Sequence, residues 1–212
     1  MAKPAHKLPF RLEALPRSSS LRVGLFGGSF NPPHEGHRHV STEAKKRLGL
    51  DHVVWLVSPQ NPLKNGQQTP PSATRAAWCE ALLAQDGGHH VSTIESQFGT
   101  RYTIDTIRAL KRRWPNVTFV WIMGSDNLAG FHRWRGWREI ARLVPIAILE
   151  RPPFPLHALK GQAAQLLHHA RRPDHNAHSI GKNKENGNKW VLLPIRRHPA
   201  SSTELRKTLG GG

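Results

Sequence analysis

The chain is short of the residues that would build several common kinds of site. It has one cysteine, Cys79, in 212 residues. No intrachain disulfide can form and a cysteine zinc site is not expected, which fits a reducing, cytoplasmic setting. Acidic residues are few, 14 Asp and Glu against 31 Lys and Arg, leaving a formal charge of +17. A chain so basic favours anionic partners, either nucleic acid or phosphorylated small molecules. No apolar run approaches the roughly 18 residues that span a bilayer, and the basic N-terminus lacks the apolar centre of a secretory signal. A membrane role is therefore not expected.

The positive charge is unevenly placed. Residues 1–22 carry five Lys or Arg against Glu13, and residues 151–200 carry nine against Asp174 and Glu185. Residues 1–20 read as a basic, flexible tail, and the polar, Gly- and Asn-rich stretch 171–189 reads as a mobile loop. Between them, apolar runs alternate with helical periodicity. Strands are predicted over 21–27, 52–58, 90–95, 117–123 and 144–149, with a last short one at 190–193. Helices are predicted over 34–48, ended by Gly49, over 72–84 with Ser72 as cap, and over 103–113, 137–143 and 156–169. Strands alternating with helices imply an α/β fold, a Rossmann-like doubly wound parallel sheet in one domain over 21–209. Ligands of such sheets sit beyond the carboxyl ends of the strands.

Gly27 and Gly28 fall at the end of the first predicted strand and Gly124 at the end of the fourth. The full stretch is Gly27-Gly28-Ser29-Phe30-Asn31-Pro32-Pro33-His34-Glu35-Gly36-His37. Two glycines let a backbone pass close to a phosphate. His34 and His37, three apart, share one face of a first helical turn, where unpaired N–H groups and the helix dipole attract anions. A zinc-protease motif would need histidines four apart, and a Walker loop would need Gly-Lys-Ser or Gly-Lys-Thr; neither is present. Near the C-terminus, Ser201 and Glu204 have capping-box spacing. That leaves the hydroxyls of Ser202 and Thr203 and the guanidinium of Arg206 to face an anion.

The glycine–histidine stretch resembles the signature of the HxGH nucleotidyltransferases, relatives of the class I aminoacyl-tRNA synthetases. Within them the chain resembles the bacterial nicotinate-mononucleotide adenylyltransferases over about Leu21 to Leu209. His198-Pro199-Ala200-Ser201-Ser202-Thr203-Glu204-Leu205-Arg206 resembles the second signature, Ile-Ser-Ser-Thr-x-Ile-Arg. The resemblance implies transfer of AMP from ATP to nicotinate mononucleotide with Mg²⁺, giving deamido-NAD and pyrophosphate in NAD biosynthesis. It puts His34, His37, Lys64 and Arg206 on the reacting phosphates. ATP would meet Gly27, Gly28, Ser29, Phe30, Ser201, Ser202 and Thr203, with Gly124 and Asp126 against a ribose. The pyridine mononucleotide would meet Asn31, Tyr102, Thr103 and Trp134, with Trp134 stacked on the ring. Thr103, opening a helix, would offer its N–H to the nicotinate carboxylate. No protein ligand for the metal is implied. Pro59-Gln60-Asn61-Pro62-Leu63-Lys64 departs from the relatives' Pro-Pro-His-Lys, because Leu63 replaces a histidine. Two alternatives stay open: a related transferase acting on nicotinamide mononucleotide, phosphopantetheine or FMN, and a nucleic-acid-binding module resting on charge alone. Oligomeric state is not legible.

Overall fold

The computed structural model describes Leu12 and residues 18–59, 69–150, 159–182 and 187–196. Seven strands form one sheet in which every pairing is parallel: β1 (Arg22–Gly28), β2 (His52–Val57), β3 (His89–Ser92), β4 (Thr118–Gly124), β5 (Ile146–Glu150), β6 (Arg171–Arg172) and β7 (Trp190–Pro194). The spatial order is β3-β2-β1-β4-β5-β7-β6. Among the described residues the complete α-helices are α1 (Glu35–Leu48), α2 (Ser72–Leu83), α3 (Ile94–Gln97), α4 (Thr103–Arg113), α5 (Ser125–Gly130), α6 (Trp137–Leu143) and α7 (Gln162–Leu166). The fold is the Rossmann-like parallel sheet expected.

Both faces of the sheet are covered, so the strands read as continuous apolar runs rather than as alternations. On one face Val53, Trp55, Val120 and Ile122 pack with α1 and α2 through Val40, Ala44, Leu48, Cys79 and Leu83. On the other, Leu25, Phe119, Trp121 and Ile148 pack with α4 and α6 through Ile107, Leu110, Trp137 and Ile140. Gly49 ends α1 in the left-handed region at φ 62°, as its position predicts. Trp137 packs in the core. Among the described residues no helix is long and apolar enough to cross a membrane.

Several boundaries differ from expectation. Ser72 is the first helical residue, and Pro71 holds the cap position. The strand expected over 90–95 stops at Ser92, whose hydroxyl accepts from the Ile94 N–H at 3.1 Å and turns the chain into α3. Of the helix expected over 156–169, residues 156–158 lie outside the described residues; Leu159 is helical, Gly161 is extended (φ −66°, ψ 152°) and breaks the run, and Gln162–Leu166 and the 3₁₀ turn His168–Ala170 follow it. The stretch expected as a mobile loop, 171–189, instead supplies the edge strand β6 and a 3₁₀ segment, Asp174–Ser179. Ala177 and Ile180 of that stretch are buried against the sheet, and the Arg22 guanidinium donates to the carbonyls of His178 (3.2 Å) and Ile180 (2.6 Å). Of the segment expected as a basic tail, residues 1–11 and 13–17 lie outside the described residues, and Leu12 is 1 % exposed and belongs to the core.

At the amino ends of β2 and β3, His52, His89 and His90 crowd together, with His52 Nδ1 3.0 Å from His90 Nε2. Burial pushes all three imidazoles down from 6.5, and the neighbouring His52 and His89 help bring His90 to about 4. Asp51 and Asp86 oppose this at His52 and His89, while Lys45 reinforces it. The folded chain therefore holds these rings neutral where the unfolded chain protonates them. Their contribution to stability is complete above the unfolded value of about 6.5 and is lost as pH falls towards the folded values. The melting temperature is expected to hold near pH 7.5 and to fall steadily from pH 6.5 to 4.5, with a shallower fall in His90→Gln. A wild-type and variant profile that superimpose across that window would remove His90 from the explanation.

Candidate active site

The sheet reverses direction of growth between β1 and β4: β2 and β3 lie to one side, β5, β7 and β6 to the other. At such a switch the loops leave in opposite directions and open a crevice beyond the carboxyl ends. Phe26 pairs with Ile122, so Gly28 and Gly124, each two residues further on, end the two strands at this crevice. Both glycine clusters singled out in the sequence therefore open onto one place.

The turn out of β1 is seated on aromatic rings. Phe30 has a positive φ of 46°, is 2 % exposed, and stacks on the fully buried Trp55 at 4.8 Å and 16°. Phe26 meets both rings edge-on, at 5.7 Å from Phe30 and 5.6 Å from Trp55. A non-glycine residue in the left-handed region costs on the order of 1–3 kcal/mol and persists only where packing over-determines it. Stacking on Trp55 is that packing, so the Phe30 side chain is an anchor and only its backbone is offered to a ligand. The glycines carry a second constraint beyond leaving room for phosphate. A Cβ at Gly27 would sit 2.6 Å from the Trp121 ring, and one at Gly28 would sit 3.0 Å from Phe30.

Beyond the turn, His34 is extended (φ −154°, ψ 167°) and occupies the cap of α1. The Nδ1 of His37 accepts from the His34 backbone N–H at 3.3 Å, while the His37 N–H donates to the His34 carbonyl at 2.8 Å. The two imidazoles lie 3.8 Å apart, with Phe30 5.2 Å from His37. With Nδ1 engaged as acceptor, the neutral His37 ring carries its proton on Nε2. The first turn of α1 thus presents an imidazole N–H donor together with helix-start amides, a combination suited to phosphate oxygens.

Tyr102 caps α4 and Thr103 is its first residue, with no side-chain cap at this start. The Tyr102 carbonyl accepts from the N–H groups of Asp105 (3.0 Å) and Thr106 (3.2 Å). Behind it, the Thr106 hydroxyl donates to the buried Glu95 carboxylate at 3.0 Å and lies 2.8 Å from the Thr100 hydroxyl. Burial raises the Glu95 pKa, and the Thr106 bond partly offsets this. Trp134 stands edge-on to Trp121 (6.1 Å) and Phe131 (5.4 Å), and the Arg135 guanidinium lies 4.7 Å from the Tyr102 ring. Gly124 caps α5, whose first turn holds the exposed Asp126. Ser29 and Asn31 are half-buried in the turn after β1. Lys64, Ser201, Ser202, Thr203 and Arg206 lie outside the described residues. The chain leading to the last four is described as far as Arg196, whose carbonyl is 3.1 Å from His39 Nε2 on α1. Among the described residues no three His, Cys, Asp or Glu converge as a metal-holding group.

One residue at this end of the sheet escaped the sequence reading. Arg75, in the first turn of α2, is fully buried, and its guanidinium donates to the carbonyls of Ser29, Ser58 (2.7 Å), Pro59 (3.1 Å) and Pro70 (2.8 Å). Its signal was faint but present: the buried positions of α2 are 75, 76, 79 and 83, so the arginine sits in the apolar stripe.

The Cytidylyltransferase-like family model matches residues 25–208. A Caulobacter sp. (strain K31) protein assigned as a nicotinate-nucleotide adenylyltransferase is 52 % identical over 186 residues, covering 88 % of this chain and 97 % of its own length. A Gluconobacter oxydans protein with the same assignment is 43 % identical over 189 residues, covering 89 % and 95 % respectively. Among solved structures, the Plasmodium falciparum nicotinic acid mononucleotide adenylyltransferase complexed with NaAD superposes with a TM-score of 0.66 at 18 % identity, covering 89 % of this chain and 84 % of its own. At that identity the likeness is one of fold.

A test of the aromatic seat follows from Gly27. Gly27→Ala pushes a methyl into the Trp121 ring, and overpacking of this kind costs about 1–3 kcal/mol. Urea denaturation is expected to show that loss, with an unchanged slope. A midpoint equal to wild type would mean that Trp121 yields freely and does not constrain this glycine.

Proposed function

Because the chain belongs to the nicotinate-nucleotide adenylyltransferases within the cytidylyltransferase-like family, we propose that the crevice beyond β1 and β4 is where AMP passes from ATP to nicotinate mononucleotide, a step of NAD biosynthesis. The observation that carries this placement is the HxGH turn, folded so that His37 offers Nε2–H at the start of α1. A phosphate oxygen of the mononucleotide attacks the α-phosphorus of ATP in line. The bond from that phosphorus to the bridging oxygen breaks, and pyrophosphate leaves with the electron pair. A phosphomonoester has its second pKa near about 6, so the nucleophile is largely dianionic at neutral pH and needs no general base. The protein must instead bring two anions together and stabilise charge on the departing pyrophosphate.

In this reading His34, His37 and the amides of α1 bind phosphate oxygens, with Ser29 and Phe30 contributing backbone. Lys64, Ser201, Ser202, Thr203 and Arg206 complete the cradle. Gly124 and Asp126 face a ribose. Mg²⁺ would come with ATP as part of that substrate and would offset charge on its phosphates. Asn31 and Tyr102 border the mononucleotide, and Trp134 stacks on its pyridinium ring. Choice of the acid over the amide comes from the uncapped start of α4 at Thr103, which favours a carboxylate. Arg135, over the Tyr102 ring, adds a cation at the same lip. A cytoplasmic setting suits a chain whose single cysteine is buried, its thiol pushed up to about 12.

Pyrophosphate release from Mg-ATP, run side by side with nicotinate and nicotinamide mononucleotides, is expected to favour the acid strongly. Equal rates would discard the account of selectivity. His37→Ala is expected to lose on the order of 10²–10³ in kcat with the fold intact, as for removal of one preorganised donor. Turnover within a few fold of wild type would sink its assignment.

A further inference from the structure

Arg75 is the one fully buried charged side chain among the described residues, at 0 % exposure, and it has no carboxylate within ion-pair distance there. Burial pulls its pKa below the ordinary arginine value. A buried cation without an anion is costly, and a well-packed apolar side chain of similar volume commonly serves stability as well or better. What the guanidinium does here is geometric. Its planar fork divides its donors among carbonyls on three separate stretches of chain: Ser29 after β1, Ser58 and Pro59 after β2, and Pro70 before α2. None of these carbonyls lies within a strand or helix, so the bonds add nothing to the regular elements. They fix the spacing of the loops at the mouth of the crevice. One of these stretches runs directly into Phe30, His34 and His37, and the next runs from Pro59 towards Lys64.

We propose that Arg75 is a positioning residue of adenylyl transfer, holding the turn after β1 and the bend after β2 at the separation the two phosphate-bearing substrates require. The inference rests on the reaction assigned above. A lysine keeps the charge but is a point donor, and cannot span these carbonyls as a rigid fork does.

The test uses Arg75→Lys and Arg75→Ala in the full chain, with circular dichroism and melting to establish folding. Arg75→Lys is expected to fold and to lose on the order of 10²-fold in kcat, the scale of a misplacement of about 1 Å, with little change in KM for nicotinate mononucleotide. Methylguanidinium added to Arg75→Ala is expected to restore turnover where ethylammonium does not. A folded Arg75→Lys with wild-type kcat, or an Arg75→Ala indifferent to methylguanidinium, would overturn the proposal. Should neither variant fold, hydrogen exchange of the wild-type protein with inorganic pyrophosphate decides. Coupled protection of 26–31, 56–59 and 70–75 supports the proposal, and protection confined to 26–37 overturns it. Wild-type turnover in the same assays tests the reaction separately, so failure there falls on that reading and not on Arg75.

Discussion

An all-parallel sheet cannot be built from tight hairpins. Each strand must be followed by a crossover that returns the chain to the starting edge. Here that constraint delivers every strand with its carboxyl end on the same side. The reversal of order between β1 and β4 then sends the loops apart and opens a crevice at that point. The glycine turn, the start of α1, the start of α5 and the loop before α4 all follow from it. The glycine turn runs directly into α1, whereas the starts of α4 and α5 are remote from it in sequence and share its end of the sheet only through that geometry; the apolar faces packed by α1, α2, α4 and α6 support the sheet beneath them.

On that rigid base, several backbone stretches of the proposed site are held by side chains that the proposal does not place on a ligand. Phe30 is fixed by Trp55, Gly27 is pinned by Trp121, and the loop ahead of α4 is tied through Thr106 to a buried glutamate. Helix starts and imidazole donors need such support, because a phosphate-binding amide is useful only if it already points at the oxygen. Electrostatic preorganisation of this kind lowers a barrier without reorganisation during the reaction.

The alternation of apolar runs and helical periodicity was enough to read the parallel sheet, most strand positions and the two glycine clusters at strand ends. The HxGH motif was legible because its histidines, three apart on one face of a predicted helix start, follow a double glycine at the end of a strand. The failures have a common cause. Ser72, the shortened strand at Ser92 and the interrupted helix after Gly161 are decided by single local hydrogen bonds or dihedrals that composition does not encode. The segment 171–189 is polar enough to read as a loop, yet Ala177 and Ile180 suffice to dock it. Leu12 was lost among basic neighbours. Arg75 was missed because an arginine in an apolar stripe reads as an error in helix phase, until the carbonyls around it are seen.

The bond between the His34 backbone and His37 Nδ1 reaches beyond capping. It makes one residue both the brace of its own helix and the bearer of a proton on the opposite nitrogen. In a neutral ring that acceptor bond favours the Nε2–H tautomer, so the fold itself biases the form the proposed reaction uses. A change that loosened the start of α1 would therefore also disturb the donor that the proposed reaction draws from it.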